Sequence, residues 1–140
     1  MCGIAGFIDC SKQFNPEELS RCVAEMSDRL AHRGPDGSGV WTDSDLGIAL
    51  GHRRLSIIDL SDMGRQPMVS DDGRFVLTYN GEIYNHKALR RELEQEGCRF
   101  RGHSDTEVLP DAIARWGARR SVLEGKRVAP GCCRPNNTTI

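Results

Sequence analysis

The chain has 140 residues, 38% of them hydrophobic and 28% charged, with a formal net charge of −1. That is the composition of an ordinary soluble globular protein of one domain or less. Small, interspersed charge argues against a nucleic-acid backbone or an anionic bilayer as main partner, and no apolar run approaches the length of a membrane span.

Met1-Cys2-Gly3 has neither the basic start nor the apolar segment of a secretory signal, so a cytoplasmic location is expected. Its six cysteines (Cys2, Cys10, Cys22, Cys98, Cys132, Cys133) are then expected to be reduced thiols. None forms a C-x-x-C pair, and His32, His52, His86 and His103 are scattered without ligand spacing, so no metal is expected.

Removal of Met1 would leave Cys2 with a thiol and a free α-amine on one residue. An amine of pKa about 7.7–8.0 beside a thiol of about 8.5 can take the thiol proton near neutral pH, directly or through one water. Such a terminus is a nucleophile with its own base; the plain alternative is a frayed chain end. Gly3 permits close backbone approach, and Ile4 to Ile8 reads as a buried strand.

Asn15 as N-cap, Pro16 at the first helical position and the acids Glu17 and Glu18 predict a helix running toward Leu30. Leu19, Cys22, Val23, Met26 and Leu30 recur at helical spacing as its core face. His32-Arg33-Gly34-Pro35-Asp36-Gly37-Ser38-Gly39 stops it. This is either a solvated loop or one whose backbone lies close to a ligand or another loop, with Arg33 and Asp36 as a candidate pair. Val40-Trp41-Thr42 and Leu46 to Gly51 predict a hairpin around Asp43-Ser44-Asp45. Arg54, leading into an apolar stretch, is either a surface charge or a two-pronged donor for a planar carboxylate.

Gly64 to Met68 reads as an irregular loop, Asp71-Asp72-Gly73 as a turn, and Phe75 to Tyr79 as the clearest strand. That strand delivers Asn80-Gly81-Glu82. Asn-Gly is a hairpin signal, but Ile83-Tyr84 is too short for a return strand before Asn85 caps a helix ending at Gly97. The alternative is that the Asn80 amide and the Gly81 N–H serve as donors to a developing oxyanion. Cys98 to Arg101 reads as a strand. Ser104-Asp105-Thr106-Glu107 has capping-box spacing and opens a helix through Trp116, with Asp105 complementing its dipole. Pro110 inside that helix is expected to cost about 3 kcal/mol.

Met1-Cys2-Gly3-Ile4-Ala5-Gly6, Arg33-Gly34-Pro35-Asp36-Gly37, Arg54-Leu55-Ser56-Ile57-Ile58-Asp59, Tyr79-Asn80-Gly81-Glu82 and Ser104-Asp105-Thr106-Glu107 occur in that order. Together they resemble class II glutamine amidotransferases, in particular the glutamine-hydrolysing asparagine synthetase branch, over Met1 to about Gly117. The resemblance implies an α+β fold, a four-layer sandwich of two mainly antiparallel sheets flanked by helices, incomplete at its C-terminal end. It implies Cys2 as the catalytic nucleophile, forming a thioester with glutamine, and Asn80 and Gly81 as oxyanion donors. It further implies a glutamine pocket of Arg54, Leu55, Ser56, Ile57, Ile58, Asn80, Gly81, Glu82 and Asp105, with Arg54 on the α-carboxylate and Asp105 on the α-ammonium. No metal or cofactor is implied in this chain; ATP and magnesium would belong to a synthetase domain that receives the ammonia and lies outside it.

Residues 118–140 form a basic tail with Gly, Pro and Cys that matches no part of this pattern, as a shifted reading frame or a disordered extension would. Strands missing from the sandwich would leave an open sheet edge. Two other readings stand beside the enzyme: a non-catalytic remnant or interaction module, and a thiol redox or metal protein built on Cys10, Cys98, Cys132 and Cys133.

Overall fold

The first helix, α1 (Pro16–Asp28), starts on a reciprocal capping box: the Asn15 side chain accepts the Glu18 N–H, and the Glu18 carboxylate accepts the Asn15 N–H, both at 2.9 Å. Pro16 follows where its missing N–H costs nothing. The computed structural model describes residues 1–56, 62–124 and 132–133. The chain divides into two compact units, Met1–Ser56 with Arg65–Pro67, and the remainder.

In the first unit, β1 (Gly3–Ile8), β2 (Gly37–Asp43) and β3 (Ile48–Arg54) form an antiparallel sheet in the order β1-β3-β2. The hairpin expected around Asp43 is present, with Asp43 opposite Ile48, but its second strand runs on through His52 to Arg54. Asp43 shapes the turn by accepting the Leu46 N–H at 3.0 Å. Helix α1 covers one face of the sheet. Leu19, Val23 and Ser27, spaced four apart, are buried there, with Ala49 of β3 and the partly buried Phe7 of β1 packed against the two aliphatic side chains. Burying Leu19 and Val23 contributes about 1.5–3 kcal/mol each. Small residues set the approach of helix to strand, since a side chain at Gly51 would collide with the Ser27 hydroxyl.

Two expectations are corrected here. Met26 is 39% exposed, so it is not part of the buried face made by Leu19, Val23 and Ser27. The first strand is not buried throughout: its exposure alternates with the pleat, and Ile8 is 63% exposed.

The second unit contains β4 (Met68–Val69), β5 (Val76–Leu77), α2 (His86–Gln95), α3 (Val108–Glu124) and β6 (Cys132–Cys133), the strands pairing antiparallel as β4-β5-β6. Its core gathers Phe75, Leu77, Tyr79, Ile83, Leu89, Leu93, Cys98, Val108, Leu109, Ala112 and Ile113. The expected strand from Phe75 to Tyr79 reduces to two ladder residues, Val76 and Leu77, with buried residues on either side. Helix α2 ends as expected at Gly97, whose φ of 92° lets Gly97 N–H reach Glu94 C=O and Cys98 N–H reach Leu93 C=O, the full Schellman pattern. Asn85 is its N-cap position, yet the side chain makes no capping hydrogen bond.

The stretch after Gly97 is not a strand, because the Arg101 and Gly102 N–H groups are taken by the Glu107 carboxylate. Glu107 is therefore not the reciprocal member of a box with Ser104; the Ser104 hydroxyl accepts the Thr106 N–H instead, and the helix begins at Val108. That start also removes the expected cost of Pro110. It falls in the first turn, where a backbone N–H has no helical partner, and it is fully buried. Helix α3 is interrupted at Gly117, which has φ 80° and ψ 155°. Among the described residues, two antiparallel sheets and three α-helices make the chain an α+β protein, as expected.

Candidate active site

The antiparallel register that sets Gly3 opposite Arg53 brings Cys2, just ahead of β1, to the segment that follows β3. The partly buried Cys2 sulfur accepts the Leu55 N–H at 3.3 Å and donates to the Leu55 carbonyl at 3.7 Å. Gly3 lets the start of β1 lie close to Leu30, since a Cβ there would stand 2.8 Å from Leu30 Cβ. Met1 is 77% exposed. Arg54 is the last residue of β3 and lies opposite Gly37 of β2, partly buried.

The loop after α1 lies against this same strand end. A side chain at Gly34 would overlap the Arg53–Arg54 peptide, and the Gly34 carbonyl accepts the Arg53 Nε–H at 3.2 Å. Arg33 is not paired with Asp36. Instead the Asp36 N–H donates to the Arg54 carbonyl at 3.0 Å, and the Asp36 carboxylate accepts the Ser56 N–H at 2.8 Å. The backbone of the loop thus makes a close approach, but to the end of β3 and not to another loop, and the expected Arg33–Asp36 pair is replaced by bonds from Asp36 to Arg54 and Ser56.

The second group of candidate residues belongs to the other unit. The chain leaves β5 through Thr78 and Tyr79, bends at Gly81 and enters α2 with no return strand, so Asn80-Gly81 does not serve as a hairpin turn. Asn80 is partly buried, Gly81 and Glu82 are exposed, and Ile83 is buried. The Tyr79 ring lies under Gly81, where an added Cβ would come within 2.6 Å of Tyr79 Cζ. Burial pushes the Tyr79 hydroxyl above its ordinary pKa, and the nearby Asp105, Glu82 and Tyr84 charges push it further, so it stays protonated at neutral pH. Asp105 is 7% exposed; one carboxylate oxygen accepts the Ile83 N–H at 2.7 Å and the other the Thr106 hydroxyl at 3.3 Å.

Of the residues singled out in the sequence, Cys2, Arg54, Leu55 and Ser56 gather in the first unit, and Asn80, Gly81, Glu82 and Asp105 in the second. Ile57 and Ile58 lie outside the described residues. The contacts of two neighbours, Asp36 and Tyr79, do not follow from the sequence alone. Asp36 carried a signal in its Gly-Pro-Asp-Gly setting, where an Asp side chain commonly binds backbone N–H groups, but its partner depends on a register that is not local. Tyr79 reads simply as the last residue of a buried strand. Among the described residues no group of three or more His, Cys, Asp or Glu side chains is placed to hold a metal ion, and no helix is long and apolar enough to cross a membrane.

Residues 1–125 match the family profile described as "Glutamine amidotransferase domain". Similar proteins include "Asparagine synthetase [glutamine-hydrolyzing] 3" of Bacillus subtilis, 41% identical over 118 residues, which are 83% of this chain and 18% of that protein. "Asparagine synthetase [glutamine-hydrolyzing] 1" of Arabidopsis thaliana is 41% identical over 117 residues, and the asparagine synthetase of Asparagus officinalis 44% over 117, each match covering 84% of this chain and 19% of the relative. The chain thus spans about a fifth of the length of these relatives.

Proposed function

The chain belongs to the glutamine amidotransferase domain family, and on that premise we propose that it performs the glutaminase half-reaction of an asparagine synthetase-like enzyme. Met1 is removed, which its exposure favours, and Cys2 becomes the chain terminus. The new α-amine takes the thiol proton, and the sulfur attacks the side-chain amide carbon of glutamine. The tetrahedral oxyanion is met by the Asn80 side-chain amide and the Gly81 N–H. The same α-amine returns a proton to the departing nitrogen, ammonia leaves, and water hydrolyses the γ-glutamyl thioester to glutamate, restoring the thiol. Arg54 holds the substrate α-carboxylate through parallel hydrogen bonds, and Asp105 attracts the α-ammonium. Leu55, Ser56, Ile57, Ile58 and Glu82 complete the pocket.

The observation that supports this reading is the seating of the Cys2 sulfur on the peptide of Leu55, the residue after Arg54, in a chain of this family. The names of the relatives, glutamine-hydrolysing asparagine synthetases, support a link between glutamine hydrolysis and asparagine synthesis; in this reading the ammonia passes to an ATP-dependent synthetase domain, where ATP and magnesium would bind. Residues 1–117 form the amidotransferase portion in this reading, residues 118–140 a separate tail, and the protein works in the cytoplasm with reduced thiols.

Mass spectrometry of the purified protein should show Met1 absent, and a glutamine analogue with an electrophilic head should modify Cys2 alone among the six cysteines. Folded protein that retains Met1, or that resists the analogue, is the remnant and not the enzyme.

A further inference from the structure

We infer that Asp36 is a positioning residue for the nucleophile, holding the peptide on which the Cys2 sulfur rests; the inference builds on the reading of Cys2 as the attacking group. Three hydrogen-bonding relationships meet at one point. The Asp36 N–H is bonded to the Arg54 carbonyl at 3.0 Å, and the Asp36 carboxylate to the Ser56 N–H at 2.8 Å. Between these two ties stands Leu55, whose N–H and carbonyl are the groups in contact with Cys2 Sγ.

The β2–β3 ladder ends at the Gly37–Arg54 pair, so beyond Arg54 the strand partner no longer fixes the chain. Asp36 is one residue ahead of that pair and extends the restraint by two residues, using its side chain where the backbone ladder has run out. Gly34 supports the same contact by letting the loop lie directly on the Arg53–Arg54 peptide. The side-chain bond therefore governs where the Leu55 amide points, toward sulfur, while the Asp36 N–H fixes the Arg54 backbone one residue earlier. This gives the Arg-Gly-Pro-Asp segment a purpose that the reaction steps leave without one. Asp36 is exposed and touches no reacting atom in this arrangement, so its part is geometric.

An Asn at this position keeps an oxygen acceptor for the Ser56 N–H and drops the charge. An Ala drops both, and a Glu keeps the charge but displaces the acceptor by one methylene. The test compares Asp36→Ala, Asp36→Asn and Asp36→Glu with the unmodified chain in two reactions at Cys2: saturating modification by the electrophilic glutamine analogue, and alkylation by iodoacetamide, each located by mass spectrometry. Asp36→Ala is expected to slow the maximal rate with the analogue by about 10- to 100-fold, the scale of a small misplacement of reacting groups. Asp36→Asn is expected to recover most of that rate, and Asp36→Glu to fall between. Iodoacetamide reactivity should change in Asp36→Ala and stay near the original in Asp36→Asn.

Equal rates in the original chain and Asp36→Ala with both reagents would overturn the inference, as would an Asp36→Asn as impaired as Asp36→Ala. If Asp36→Ala does not fold, the Asp36→Glu and Asp36→Asn pair makes the same comparison, and equal rates in those two overturn it. Should the analogue fail to modify the original chain, the glutaminase reading falls. The iodoacetamide series then still decides whether Asp36 governs the surroundings of Cys2.

Discussion

One oxygen of the Asp105 carboxylate accepts the Ile83 amide N–H at 2.7 Å, across 22 positions of sequence. The bond ties the segment leading into α3 to the bend that carries Asn80 and Gly81, so this carboxylate has a structural task besides its proposed one. Replacement by Asn separates the two, because an amide oxygen still serves Ile83 while the charge for a substrate ammonium is gone. Asp105→Asn should raise KM for glutamine about 10- to 100-fold, the equivalent of a charged hydrogen bond of about 1.5–3 kcal/mol, with Tm little changed. Asp105→Ala should raise KM similarly and also lower Tm, since it leaves the buried Ile83 N–H without its acceptor at a cost of about 1–3 kcal/mol. Steady-state glutamate release and thermal unfolding measure the two effects. An unmoved KM in Asp105→Asn would withdraw Asp105 from substrate binding.

Cys2 and Asn80 should fail differently. Cys2→Ser replaces the sulfur with a poorer nucleophile in a partly buried, mostly backbone setting, so glutamine hydrolysis should fall by at least about a thousandfold while Tm holds. Asn80→Ala should lower kcat about 100- to 1,000-fold with little change in KM, because an oxyanion donor acts mainly in the transition state. Analogue labelling of Cys2 should persist at a reduced rate in Asn80→Ala. If Asn80→Ala instead raised KM at constant kcat, Asn80 would be a ground-state contact and the oxyanion assignment would fail.

What the sequence made legible was what is decided locally. The α1 capping box lies within Asn15–Glu18, and the end of α2 needs only one glycine able to take positive φ, so both could be read without tertiary information. Misreadings arose where a distant group claims the backbone. Cys98 to Arg101 has a strand's composition, but the Glu107 carboxylate takes the Arg101 and Gly102 N–H groups, so the same interaction removes both the expected strand and the expected capping box at Ser104. At the candidate site the motif order pointed to Cys2, Arg54, Asn80 and Asp105. The partner of Asp36 was hidden, because it depends on how β2 is registered against β3, which no single motif encodes.

The Glu107 carboxylate anchors a loop as well as an ion pair. Besides the two N–H groups it takes Arg90 Nη2 at 2.7 Å, and the Arg90 guanidinium also donates to the Gly102 carbonyl at 2.9 Å and lies 4.7 Å from the centre of the Phe100 ring. Both side chains are largely buried, at 19% and 17% exposure, so removing one leaves the other badly solvated. Glu107→Ala should cost about 3–5 kcal/mol in urea unfolding, and Arg90→Ala a comparable amount. The double variant should lose clearly less than the sum of the two, because each single change already breaks the shared network. Additive losses would show that the two side chains stabilise the loop independently.

Asp111 supplies a pH-dependent contribution of the opposite sign to that of a usual native carboxylate. Burial, the largest influence, pushes its pKa up, and the neighbouring Asp71 and Asp72 charges add to it, while the Asp71 N–H bonded at 2.7 Å and the Arg115 charge oppose. In the unfolded chain the same group ionises near pH about 3.9. A raised native pKa means that the folded state binds the proton more tightly. The associated stability is therefore full below the unfolded value and is lost as pH rises through the folded one. Asp111→Asn keeps an oxygen for the Asp71 N–H and has no charge to bury, so it should melt at a higher temperature than the original chain at pH 7. The gap should narrow on acidification and largely close near pH about 3, where the original Asp111 is protonated in both states. Thermal unfolding of the two proteins across that range gives the comparison, in which all other carboxylates titrate alike. A gap that does not depend on pH, or a lower Tm for Asp111→Asn at pH 7, would mean that the bond from Asp71 needs the carboxylate charge more than burial disfavours it.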